Sequence, residues 1–180
     1  VDMTSGSVFR HLLNFAVPLL MGNIFQQLYN TVDTWVVGNY VSNEAFSAVG
    51  TVAPIINTLI GAFSGLASGA GVVISQYYGA GKYDRVKDAV HTAVMMTLVL
   101  SVAFTAIGIA MTPNMLRLMK TPAEVFPQSR AYLYIYFSGM AGLMLYNMGA
   151  GILRAVGDSK RPFYYLVCAA VINTVLDLVF

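Results

Sequence analysis

Charge is what this chain has least of: 10% of its 180 residues are Asp, Glu, Lys or Arg, against 57% hydrophobic residues and a mean hydropathy of +0.67. Soluble domains carry roughly 25% charged residues, so a water-soluble globular fold is excluded. A single cysteine, Cys168, stands in an apolar stretch; this excludes an intrachain disulfide and a thiolate metal cluster and leaves a packed, inert thiol. The two histidines, His11 and His91, fall near predicted helix ends without an acid at ligand spacing. No serine stands in a G-x-S-x-G turn, so the sequence holds little that would serve an enzyme. Segments of roughly ten residues with alternating polarity are missing too, which argues against a membrane β-barrel. Within the long apolar stretches Lys and Arg are missing too, apart from Arg130 at the edge of one.

Those stretches run over about residues 13–40, 46–78, 89–112, 129–153 and 162–180, each close to or above the ~20 residues a helix needs to cross the hydrocarbon. The sequence predicts an all-α fold, a polytopic bundle of five transmembrane helices joined by short loops between antiparallel neighbours. Ser7 is placed to cap a helix from Val8, and Asp84 to cap one after the glycine turn in YGAGKYDRVKD. In TPAEVF, Thr121, Pro122 and Glu124 have the spacing of a capping box. Pro54 marks the start of the second span or a bend in it. Within that span Gly61, Gly65 and Gly69 recur at every fourth residue beside Ser64 and Ser68, a flat face on which a second helix is expected to pack.

The basic residues predict orientation. With a cytoplasmic N-terminus, Arg10, Lys82, Arg85, Lys87, Arg154, Lys160 and Arg161 lie inside and only Arg117, Lys120 and Arg130 outside, as the positive-inside rule expects. The basic loops are thus topology signals, the surroundings are membrane lipid, and no nucleic-acid partner is expected. The expected location is the cell (inner) membrane, multi-pass. Phe180 falls in the middle of an apolar helix, so the chain is expected to be truncated within its fifth helix.

Two carboxylates stand within the spans, Asp33 and Asp177, and neither has a basic partner there. An ionised group inside a membrane helix costs roughly 2.5 to 3.5 kcal/mol on insertion scales, so it faces a polar interior and marks an ion or substrate path. In the first span Asn23, Gln26 or Gln27, Asn30 and Asp33 recur at three- and four-residue steps and form one polar stripe. For a single Asn or Gln an interhelical hydrogen bond is the plainer reading, whereas a stripe that ends on an acid points to function. Pro18 kinks the same helix and is a candidate hinge. In the fifth span Asn173 and Asp177 are one turn apart, so a carboxylate and an amide carbonyl address one spot. Hard cations take such oxygens, and a proton on the carboxyl would serve the same end. These residues read as the cation site of a coupled transporter.

The run P18LLMGNIFQQLYNTVDTWVVG38, followed by AFSAVG, QYYGAG, GILRAVGDSKRP and VINTVLDLVF, closely resembles the multidrug and toxic compound extrusion (MATE) transporters, particularly their DinF-like branch, from end to end. VDTWVVG, LRAVGD and INTVLD in this order are jointly specific. The resemblance implies the first five helices of a six-helix N-terminal lobe, residues 1–180, in a family of twelve helices arranged as two lobes around a cleft. It implies an antiporter that exports amphipathic, often cationic small molecules in exchange for H+ or Na+, with no other cofactor and with a C-terminal lobe as partner. Asp33, Asn173 and Asp177 match the family's cation site, where Na+ is one candidate ion, and Pro18 matches its bending proline. Asn147 resembles a member of the polar network, Tyr136 a weaker one, and Gln26 and Asn30 belong to the same stripe. The rival readings are a lipid-linked precursor flippase of the same superfamily, whose cleft should be basic, and a non-transporting membrane subunit.

Overall fold

The computed structural model describes the backbone of residues 7–36, 38 and 43–179, and the side chains in that set other than those of residues 8, 29, 33, 34, 36, 43–45 and 177–179. Among the described residues six helices follow one another: α1 (Val8–Val36), α2 (Asn43–Gly79), α3 (Tyr83–Leu118), α4 (Phe126–Ser138), α5 (Met140–Ala155) and α6 (Lys160–Val179). No strand occurs among the described residues, and the all-α expectation holds. The five apolar stretches appear where expected, with the fourth divided between α4 and α5 at Gly139. There the Thr105 hydroxyl donates to the Phe137 carbonyl over 3.0 Å and competes with the helix's own amides for that acceptor, at a glycine that costs a helix interior about 1 kcal/mol.

Local chemistry explains most boundaries and corrects two. α1 begins after Ser7, whose carbonyl accepts from the His11 amide at 3.1 Å. α2 passes through Pro54 without ending, and the Thr58 hydroxyl donates to the Pro54 carbonyl at 2.8 Å. α3 is capped by Lys82 and not by Asp84, which falls in the first turn and there favours the helix dipole. The capping box expected at Thr121 does not form. Residues 123–125 make a turn in which the Val125 and Phe126 amides donate to the Pro122 carbonyl, so α4 starts only at Phe126. The α2–α3 hairpin closes through Gly81, whose φ of +68° suits glycine at a helix C-terminus. At 37 and 36 residues, α2 and α3 are each about 54 Å long, more than enough to cross ~30 Å of hydrocarbon.

Polarity runs inside out. On α3 the buried face is Ala93, Thr97, Ser101, Gly108, Thr112 and Leu116, while Val99, Val102 and Ile107 project outward. The hydroxyls of Thr97, Ser101 and Thr112 each donate to a carbonyl one turn back, at 2.7–2.8 Å, so burial leaves none unsatisfied. Small, self-satisfied residues inside and large apolar residues outside is the arrangement expected where lipid, not water, surrounds the bundle and close packing drives association.

The core lies among α2 to α5, where Val52, Phe63, Leu116, Leu133, Phe137, Met140 and Met144 form one buried cluster. Gly108 of α3 lies against Phe137 of α4 so closely that a Cβ would overlap the ring. The stripe of Gly61, Gly65 and Gly69 is not where α2 is packed: a Cβ at any of the three would meet nothing within 4 Å. The close approach uses the neighbouring face. A Cβ at Gly151 of α5 would lie 3.0 Å from the Ala67 carbonyl oxygen, and one at Gly71 would lie 3.6 Å from the Gly151 carbonyl oxygen. Periodicity marked the helix side that could pack, and burial of Phe63, Ala67 and Ile74 fixed the side that does. α1 and α6 pack on each other and flank this core, joined to it through α5.

Candidate functional site

Where the α1–α6 pair meets α2 and α5, a cavity of about 240 Å³ opens. α1 contributes Pro18, Gly22, Asn23 and Gln26; α2 contributes Ser64; α5 contributes Tyr146, Asn147 and Arg154; and Ser159 with Pro162 closes it beside α6. The polar lining follows from helical spacing, because Asn147, Ala150 and Arg154 repeat at three and four residues along one face of α5. Asn147 donates through Nδ2 to the Leu143 carbonyl at 2.9 Å, and the Tyr146 hydroxyl donates to the Pro162 carbonyl at 3.3 Å, tying α5 to α6. At the turn into α6 the Asp158 carboxylate accepts from the Lys160 and Arg161 amides, both at 3.1 Å, and pairs with Arg161 Nε at 3.2 Å.

The α1–α6 seam is tight at Gly22. A Cβ there would stand 3.7 Å from Leu166 and 3.8 Å from Phe163, and the rings of Phe25 and Phe163 meet edge to face with centroids 5.8 Å apart. Further along α6, the Asn173 carboxamide oxygen is buried and has no hydrogen-bond partner among the described residues. A buried acceptor without a donor is costly in an apolar surround, and a cation or a protonated carboxyl would satisfy it.

Pro18, Gln26 and Asn147 therefore come together in one chamber. Pro18 lies inside a continuous α1. Asn30 follows one turn past Gln26, outside the chamber lining. Tyr136 sits on α4 against the buried core cluster, its ring edge on to Phe137, and is not part of the chamber. Asp33 and Asp177 lie within α1 and α6, and their side chains are outside the described residues. Sequence reasoning missed Tyr146, Arg154 and Ser159. The signal was available for Arg154, seven residues after Asn147 and so on the same helix face.

The MatE family model matches residues 18–179 of the chain. The chain is 38% identical over 170 residues to the "Probable multidrug resistance protein YoeA" of Bacillus subtilis, covering 94% of this chain and 37% of that protein. It is 32% identical over 179 residues to "Probable multidrug resistance protein YpnP" of the same organism, covering 99% and 40%. A solved structure described as the "outward-facing conformation of a multidrug resistance MATE family transporter of the MOP superfamily" superposes with a TM-score of 0.91 at 26% identity, over 97% of this chain and 39% of that one. The chain thus spans about two fifths of the length of these relatives.

Proposed function

Because the chain belongs to the MatE family, an integral membrane family matched here over residues 18–179, we propose that it supplies N-terminal lobe helices to a secondary antiporter. That antiporter exports amphipathic, often cationic small molecules in exchange for H+ or Na+. Asp33, Asn173 and Asp177 hold the coupling ion, and a second lobe completes the cleft. The named relatives, two of them multidrug resistance proteins, support the export reading.

The observation that carries the coupling site is the α1–α6 seam. Five alternate crossings run the first and fifth spans in the same direction. Gly22 and Leu166 meet across the seam, and Asp33 and Asp177 each stand eleven residues beyond their own member of that pair. Eleven residues make about three helical turns, so each acid returns to the side of its helix that faces the seam, at one level. The unpartnered Asn173 oxygen lies one turn before Asp177. Two carboxylates and a bare carbonyl without a base are suited to a proton or a hard cation. Asn23, Gln26, Asn30 and Asn147 then form a polar path toward this end, and Pro18 lets α1 bend between two states of the path.

Paired cysteines test the shared level. With Cys168→Ser to remove the native thiol, Asp33→Cys combined with Asp177→Cys should form a disulfide on mild oxidation, identified as a linked peptide by mass spectrometry. The Gly22→Cys and Leu166→Cys pair is the positive control. Linkage in the control and none between 33 and 177 would remove the shared site. The N-terminus is placed in the cytoplasm of an inner-membrane protein on the basic-residue bias. Single cysteines at 117 and 120 should then react with an impermeant thiol reagent in intact cells while those at 82 and 160 stay protected, and the reverse pattern would invert the topology.

A further inference from the structure

The chamber at the inner end of the α1–α6 seam has a polarity opposite to that of the acid pair. Arg154 is the only charged residue that lines it, and no carboxylate reaches it among the described residues. Its nearest acid along the chain, Asp158, is taken up by Arg161 and by the first amides of α6. The Arg154 guanidinium forms no ion pair or hydrogen bond with any described residue. Ser159 lines the same cavity, is 4% exposed, and its hydroxyl has no partner among the described residues. The carboxamides of Asn23 and Gln26 face the same space from α1. Arg154 also borders a groove of about 360 Å³ along α2 that is lined by Ser64, Ser68 and Ser75, which gives room for the body of a ligand whose head sits in the chamber.

A position in the last turn of α5 favours a basic residue through the helix dipole, but that leaves without a role the hydroxyl of the nearly buried Ser159, which lines the chamber. A guanidinium offers paired donors in the geometry that an oxyanion accepts, and the hydroxyl adds a further donor. We propose that this chamber is an oxyanion site, in which Arg154 and Ser159 bind the carboxylate or phosphate group of a small amphipathic molecule or of a lipid head. A cation is repelled here and directed to the acids about three turns away.

The test is calorimetric binding to the full chain in neutral detergent, with phenyl phosphate as the probe and phenyltrimethylammonium as the cation with the same ring. Phenyl phosphate should bind saturably. Arg154→Gln should weaken it at least about tenfold, Arg154→Lys less than that, and Ser159→Ala about threefold. Asp33→Asn should leave its affinity unchanged, which separates this site from the coupling site, so either can fail alone. Thermal unfolding of each variant monitors folding, and Ser159→Ala and Arg154→Lys keep the test open if Arg154→Gln does not fold. Competition by phosphatidylglycerol would assign the natural oxyanion to a lipid head, and lack of competition to a free solute. Absence of saturable phenyl phosphate binding, equal affinity in the folded Arg154 and Ser159 variants, or equally tight phenyltrimethylammonium displaced by phenyl phosphate would overturn the proposal.

Discussion

Asp33→Asn and Asp177→Asn should each reduce gradient-driven export by at least about tenfold while the protein still inserts and folds. The assay requires a complete transporter, and a hybrid in which this chain replaces the matching segment of Bacillus subtilis YoeA, 38% identical to it, provides one. An asparagine imitates the neutral carboxyl permanently, so the ion no longer discriminates between the two states of the transporter and the differential binding that drives the cycle is lost. A purely structural role predicts otherwise. A neutral amide is cheaper to hold in a membrane interior than a carboxylate and keeps most hydrogen bonds, so packing alone would leave export intact and raise stability if anything. Export and thermal midpoint are therefore measured on the same preparations. Undiminished export in both variants would reject the acids as the coupling site.

The second large effect concerns the α3–α4 contact. Gly108 lies directly against the Phe137 ring, which is 1% exposed and held in the core by Leu133, Met140 and Leu116. Gly108→Ala forces the ring or the helix to move, and overpacking of this kind costs about 1–3 kcal/mol. Phe137→Ala leaves a cavity at a cost of about 3–5 kcal/mol. The two losses are not independent, because the smaller side chain removes the clash. The double variant should be more stable than the sum of the single effects predicts, by more than ~1 kcal/mol. Additive midpoints in detergent unfolding would show that the close approach is not a feature of the folded protein.

Helix positions were legible because lipid imposes length and apolarity on a span, and the five stretches show both. Where helices start was less legible. At Thr121 the capping-box residues are present, yet the chain spends them on a turn that delivers Phe126 to the core. Lys82 and not Asp84 precedes α3 because the Gly81 turn, closed by the Lys82 amide on the Tyr77 carbonyl, sets the start before a side-chain cap is needed. The division at Gly139 depends on Thr105, thirty-two residues away from Phe137, a tertiary contact that no local pattern carries. The glycine stripe on α2 shows the same limit: spacing identifies a face that permits close approach, and only the positions of Ala67 and Gly151 decide which face is used. For the site, Asn23 and Gln26 were visible as polar residues in an apolar helix, and Asn147 only through the family resemblance. Arg154 was read only as a topology signal because it stands at a span's edge, although its register with Asn147 turns it into the chamber.

Ion dependence of export tests the central claim most directly. In the hybrid transporter reconstituted into vesicles, export of a lipophilic cation such as ethidium should follow an imposed H+ or Na+ gradient, cease when an ionophore collapses that gradient, and lose its dependence on the ion in Asp33→Asn and Asp177→Asn. Export that continues at full rate with both gradients collapsed, or that keeps its ion dependence in both variants, would contradict coupling through α1 and α6.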